Sequence, residues 1–116
     1  MTLTSISRNV LLMTVLFSTG NGFAQNGKYG ATPEDSVQCV TNLSLYQEFY
    51  KQKSYDDALN PWRRVMVLCP SSSLKMYVDG LTLRKHQIAK TKDEAVKSAL
   101  YDSLYMIYDQ RIQYFG

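Results

Sequence analysis

The stretch that decides the fold runs from residue 39 to residue 70 and reads CVTNLSLYQEFYKQKSYDDALNPWRRVMVLCP. Its apolar residues recur every three or four positions on both sides of Ser54, which is the spacing of a buried helix face. We therefore predict two helices, over 33–53 and 55–69, that fold back on each other at Ser54. Pro70 ends the second helix, since proline has no N–H to continue the hydrogen-bond ladder.

Two more helices are predicted after Pro70. Apolar residues at helical spacing indicate a third helix that extends to about Lys90, with a hydroxyl cap from the serine run 71–73. The segment Thr91–Glu94 has the form of a capping box, so a fourth helix is predicted to begin there. Because no alternation of apolar and polar residues is present, no strand is predicted. The expected fold class is all-α, with about four helices in antiparallel hairpins.

The N-terminal 24 residues have the pattern of a secretory signal peptide. Arg8 precedes a short apolar run over 10–17, and Gly22–Ala24 fits the small-x-small rule for cleavage. We expect cleavage after Ala24, export to the periplasm, cell envelope or exterior, and no membrane span in the mature chain. An uncleaved N-terminal anchor is the alternative. Residues 25–32 are a polar leader with two glycines, and we expect it to be flexible.

The charge of the chain gives little indication of a partner. The formal net charge is +3, and it falls to +2 without Arg8, since residues 1–24 contain no acid. A value this near to neutral does not predict binding of nucleic acid. Basic residues surround the connection between the third and fourth predicted helices, and we interpret them as a solvated face rather than a binding site. They are Arg84, Lys85, Lys90, Lys92 and Lys97.

Several residues match the tetratricopeptide pattern, which has a leucine and a tyrosine on one helix, an alanine and a phenylalanine on the next, and then a proline. The matching positions are Leu45, Phe49, Ala58, Trp62 and Pro70. Gly80 lies about 34 residues after the glycine position of this first match, where a second repeat would have its own glycine. The chain thus resembles the tetratricopeptide repeat (TPR) family. The resemblance implies a short α-solenoid within residues 33–116, with one repeat over 35–70 and a divergent hairpin over 72–115.

The resemblance to TPR proteins also implies a function, because TPR units bind other proteins. We expect an exported, non-catalytic interaction scaffold that is the N-terminal part of a longer repeat array. Its concave face would come from the first helix of each hairpin. Helix phase places these candidate partner-binding residues there: Asn42, Tyr46, Tyr50, Met76 and Leu83.

The fourth helix carries two apolar stripes, although a helix at the edge of a globule needs only one. The second stripe predicts a partner, which is a following repeat, a second subunit or a bound protein. Its residues are Tyr101, Tyr105, Tyr108, Ile112 and Phe115. The alternative function is a self-assembling structural protein of the cell envelope that buries this stripe against another copy. A second alternative is a helix that its own neighbours cover.

Cys39 and Cys69 are expected to form a disulfide bond. Export would place them in an oxidising compartment, where two cysteines can pair. They are equidistant from Ser54, so an antiparallel hairpin brings them together at its open end. Two buried free thiols are the alternative.

No group of residues in the sequence indicates an enzyme. His86 is the single histidine, and catalytic triads and zinc sites need several ligands or partners at suitable spacing. The acidic pairs at 56–57 and 93–94 lie at predicted helix starts, where they stabilise the helix dipole. We therefore predict no catalytic residue, no metal site and no cofactor. A secreted helical enzyme or redox protein with a reactive thiol is the third hypothesis.

Overall fold

The computed structural model describes residues 27–116, and over this range the protein is all-α, as the sequence predicts. The elements in chain order are α1 (Pro33–Lys51), α2 (Tyr55–Leu68), α3 (Lys75–Lys90) and α4 (Glu94–Phe115). α1 packs along α2, α3 packs along α4, and α2 also contacts α3. The predicted signal peptide over 1–24 and its cleavage after Ala24 lie outside the described residues.

The first helix begins as its sequence predicts. Thr32 Oγ1 accepts a hydrogen bond from the Asp35 backbone N–H at 3.1 Å, which satisfies one of the free donors at the helix start. Pro33 is the first helical residue, where its missing N–H costs nothing. The boundary of α1 is therefore a consequence of local sequence.

A tight turn joins α1 to α2. Lys53 has a φ of 59°, in the left-handed region that favours glycine. The Ser54 N–H donates to the Phe49 carbonyl at 2.9 Å, and the Lys53 N–H donates to the Tyr50 carbonyl at 3.0 Å. This pair of hydrogen bonds is a Schellman motif. It reverses the chain at the predicted position, so α2 runs back along α1.

Two predicted helix caps are wrong. α3 begins without a side-chain cap, and Ser72 Oγ instead donates to the Cys69 carbonyl at 2.7 Å inside the protein. α4 is capped by the Asp93 carboxylate, which accepts from two backbone N–H groups of the first turn. Thr91 is not the cap because its extended backbone ends α3 and lies too early for the first turn of α4.

The described part of the leader, residues 27–32, forms a turn that the sequence pattern does not predict. The Gly27 N–H donates to the Gly30 carbonyl at 3.2 Å, and Ser71 Oγ donates to the Gly27 carbonyl at 3.3 Å. Gly30 has a φ of +122°, and a Cβ there would lie 2.8 Å from Asp35 Cβ. This position needs glycine for both its conformation and its space.

The core lies mainly between the first three helices. Its largest fully buried side chains include Trp62, Tyr46, Tyr77, Met76, Leu83 and Val65. α4 adds Ile107, which is the single buried residue among its 22. The last helix therefore lies on the outside of the core rather than within it.

Trp62 is the central side chain between α2 and α3. Its Nε1 donates to the Met76 carbonyl at 2.8 Å, so the buried indole N–H has a partner. Gly80 faces the ring, and a Cβ there would lie 2.4 Å from Trp62 Cζ2. The close approach of α3 to α2 thus requires a residue without a side chain at position 80.

Most of the residues predicted to pack the hairpins lie in the core or against it, and Pro70 is half-buried. Leu45 is the exception, since 44% of its surface is exposed. The neighbouring Tyr46, about 100° around the helix, takes the interior position instead. Those in or against the core are Phe49, Ala58, Trp62 and Gly80.

Candidate functional site

The concave-face residues predicted to meet a partner are mostly in the interior. The expectation that they are exposed is wrong, because α1 and α3 contact each other across that face. Tyr50 is half-buried. The buried ones are Asn42, Tyr46, Met76 and Leu83.

A hydrogen-bonded cluster joins α1 to α3 at this contact. The Tyr46 hydroxyl donates to Asp79 Oδ2 at 2.9 Å, and Lys75 Nζ lies 2.7 Å from the same oxygen. The ammonium group also lies 5.0 Å from the centre of the Tyr50 ring. Burial raises the pKa of Tyr46 above its usual range, and the charge of Asp79 raises it further. The cluster satisfies a buried carboxylate and ties the two hairpins together.

The outer side of α4 presents the second apolar stripe to solvent, as the sequence predicts. We call the five residues of this stripe the tyrosine face. Tyr105 and Ile112 are each 64% exposed, and Phe115 makes an edge-on contact with Tyr77, with ring centres 5.7 Å apart. None of the five side chains is charged. They are Tyr101, Tyr105, Tyr108, Ile112 and Phe115, and all are exposed.

The inner side of α4 holds the helix against the rest of the protein. Ile107 is buried, and Gln110 Nε2 donates to the Met66 carbonyl at 3.0 Å and to the Tyr77 hydroxyl at 3.1 Å. Burial raises the pKa of Tyr77, although the hydrogen bond from Gln110 opposes the shift. Because these contacts fix the rotation of α4, the tyrosine face is left exposed, and Phe115 is its member that contacts the core residue Tyr77.

A groove of about 330 Å³ lies between α2 and α4, with α3 contributing Arg84. The Arg84 guanidinium carbon lies 5.1 Å from the centre of the Trp62 ring, and its Nη1 donates to Gln87 Oε1 at 2.7 Å. Burial lowers the pKa of Arg84, and the nearby charge of Arg63 lowers it further. The walls of the groove are otherwise mostly apolar.

The sequence pattern does not indicate this groove, because it places Arg84 in a solvated basic face. Arg84 is half-buried and packs on Trp62. Gly80 is the residue that could have indicated the position of Arg84, because residues four apart share one face of a helix. Because Trp62 packs against Gly80, Arg84 on the same face of α3 is expected to contact the Trp62 ring as well.

The single histidine takes part in a surface cluster with Asp56 and Lys90. Asp56 accepts a hydrogen bond from Lys90 Nζ, and His86 Nε2 lies 3.6 Å from Asp56 Oδ1. The Lys90 hydrogen bond lowers the pKa of Asp56. His86 also packs edge-on against Tyr55, with ring centres 5.2 Å apart. Across residues 27–116, no three His, Cys, Asp or Glu side chains are grouped to hold a metal ion.

Cys39 and Cys69 lie at disulfide distance, with an S–S separation of 2.15 Å and Cα atoms 6.0 Å apart. Both residues are fully buried. The bond joins α1 to the residue that follows α2, which is the open end of the hairpin, as its spacing around Ser54 predicts.

Comparison of the chain with protein-family models, with curated proteins and with solved structures gave no match. The resemblance to TPR proteins and the stacking of the hairpins as a solenoid therefore stay predictions. In the described range, no helix is both long enough and apolar enough to cross a membrane.

Proposed function

We propose that this protein is an exported, non-catalytic interaction module of TPR type, and that its binding surface is the tyrosine face of α4. The observation that supports the proposal is the exposure of five large apolar side chains along one side of a helix whose other side is fixed.

The chemistry of the tyrosine face suits a protein partner. Tyrosine supplies a large rigid contact area and a hydroxyl that remains able to bind water or a neighbour. Aromatic residues are enriched in the centres of protein interfaces, whereas charged residues are depleted there. A contiguous apolar surface on a small protein typically marks an interaction site.

The expected partner is a helix. The five residues span about four turns of α4, so a second helix lying along them would bury the whole stripe. In a repeat array that helix belongs to the following repeat, since each repeat buries its face against its neighbour. The same surface also suits a helix of a separate protein.

Self-assembly is the second candidate function, and one observation favours it. The tyrosine face carries no charge, so two copies can bring this face together without repulsion between like charges. A two-fold axis places the same patch on both sides of such an interface.

Sedimentation velocity tests the proposal with two matched variants. Tyr105 and Val37 are each 64% exposed, on α4 and α1 respectively. Tyr105→Glu places a charge in the tyrosine face and is expected to release the protein from its complex in native extracts. Val37→Glu makes a similar change elsewhere and is expected to leave the complex intact.

The same measurement on the purified protein separates the two functions. Self-assembly predicts a dimer or larger species that Tyr105→Glu returns to a monomer. A module for another protein predicts a monomer when pure and a larger species in extract. Sedimentation as a monomer in both conditions would contradict the proposal.

A further inference from the structure

Two grooves adjoin along the exposed side of α2. The first is the groove of about 330 Å³ described above, and the second has a volume of about 530 Å³ and extends toward Gln38 of α1. They share Arg63 and Val67 as lining residues. We call the continuous surface that they form the arginine strip.

The charge of the arginine strip is positive only. Arg63, Arg64 and Arg84 line it, and no carboxylate lines either groove in the described part of the chain. The carboxylates of α4 itself are Glu94, Asp102 and Asp109, and all three are exposed and line neither groove.

Arg84 is held ready to bind an anion. A guanidinium has five N–H donors. Among the described residues Gln87 is the only acceptor that Arg84 contacts, and its buried Nε has no partner. Stacking on Trp62 and the bond to Gln87 fix the plane of the group, so less side-chain entropy is lost when a ligand binds.

Part of the apolar lining of the arginine strip is exposed. Val67 is 82% exposed and Met106 is 67% exposed, on α2 and α4 respectively. Methionine adapts its shape and is common at surfaces that bind apolar side chains. An occupant of the strip therefore needs apolar groups next to its negative charges.

We propose that the arginine strip binds an acidic peptide segment of a partner protein, with apolar side chains in the grooves and carboxylates on the three arginines. A peptide fits better than a small molecule because the two grooves are continuous through Arg63 and Val67, and the surface they form together is longer than either one. Charge-assisted hydrogen bonds from arginine to carboxylate supply the specificity. This site is separate from the tyrosine face, so an experiment can disprove one of the two proposals without disproving the other.

Trp62 provides a direct reporter, because it is the single tryptophan of the chain and lines the first groove. The probe is a short acetylated peptide of leucine and glutamate, added to the full purified protein while Trp62 fluorescence is recorded. We expect a saturable change. The same peptide with lysine in place of glutamate is expected to bind at least about tenfold more weakly.

A matched pair of variants shows whether the strip itself is responsible. Arg63→Glu reverses a charge in the strip and is expected to weaken binding of the glutamate peptide by about tenfold or more. Arg111→Glu makes the same change at an exposed position that lines neither groove, and it is expected to alter binding by less than about twofold.

Three results would overturn the proposal. The first is no saturable change in Trp62 fluorescence, and the second is an equal effect of the two charge reversals, which would indicate attraction to net charge alone. The third is octanoate binding as tightly as the peptide, which would make the strip a site for small amphipathic carboxylates. A circular dichroism spectrum of each variant verifies that its helices are intact.

Discussion

α2 and α4 are the second helices of two successive hairpins, and they differ sharply in burial. α2 has 14 residues and five of them are buried, whereas α4 has 22 residues and buries only Ile107. Both are rich in large apolar side chains. The difference lies in their neighbours, because α2 packs on both α1 and α3 while α4 packs mainly on α3.

The apolar content of a helix does not by itself show which of its residues are buried. α2 uses its apolar residues to build the interior, and α4 leaves an equivalent stripe in water. Exposed apolar surface of this extent is costly unless something else covers it. The tyrosine face is therefore the part of the described chain at which we expect a partner.

Truncating one large side chain in α2 and one in α4 should change the free energy of unfolding by very different amounts. Trp62→Ala removes the largest buried side chain of α2 and should lower the free energy of unfolding by about 3–5 kcal/mol. Tyr105→Ala on α4 should change it by less than about 0.5 kcal/mol in the isolated protein, since exposed residues contribute little. Urea denaturation followed by circular dichroism measures both. Equal losses would show that α4 is as much a part of the core as α2.

The disulfide gives the next largest effect and concerns the hairpin that contains α2. Replacing both Cys39 and Cys69 by alanine opens a loop whose ends are 30 residues apart. The free energy of unfolding should fall by about 3 kcal/mol, because the unfolded chain gains freedom. Thermal unfolding with and without a reductant measures the loss in the wild type. A wild-type melting temperature that does not respond to reduction would contradict the expected bond.

The contact between the hairpins should weaken at high pH. The pKa of Tyr46 is raised in the folded protein above its ordinary value of 10.0, so its stabilising contribution is complete below that pH. As the pH rises above about 10, the unfolded state loses this proton first, and stability should fall by up to about 1.4 kcal/mol per pH unit. Tyr46→Phe should remove this part of the pH dependence. If the free energy of unfolding changes equally with pH in the wild type and in Tyr46→Phe between about pH 9 and about pH 11, the pH dependence does not come from Tyr46.

The smallest effect is a gain in stability at the turn between α1 and α2. Lys53 has a left-handed backbone, so Lys53→Gly should stabilise the protein by about 1 kcal/mol. Lys51→Gly, in the last turn of α1, is the control and should destabilise by up to about 1 kcal/mol. Chemical denaturation of the two variants measures the difference. A loss of stability for both would mean that the turn does not adopt this conformation.

Local signals in the sequence predicted the helices well. Thr32 and Pro33 begin α1, Ser54 marks the turn, and the spacing of Cys39 and Cys69 around it predicted their proximity. The helix start and the turn depend on the residues nearest in the chain, and the turn then places two cysteines 30 residues apart opposite each other, so a single sequence contains the necessary information.

Contacts between hairpins were much harder to predict. Leu45 and Tyr46 are adjacent and both apolar, and helical spacing alone does not say which of them faces inward. The position of α3 decides this, because Asp79 supplies the hydrogen bond that a buried tyrosine needs. The role of Arg84 depends in the same way on Trp62, a residue of another helix.

Tyrosine footprinting shows whether the tyrosine face is covered in a native extract. Nitration of the protein in native extract and after purification, read by mass spectrometry, compares Tyr105 of the tyrosine face with Tyr29, which is also exposed but lies before α1. The proposal predicts that Tyr105 is protected in extract and reactive after the purified protein is diluted, while Tyr29 reacts equally in both. Equal reactivity of Tyr105 under the two conditions would contradict it.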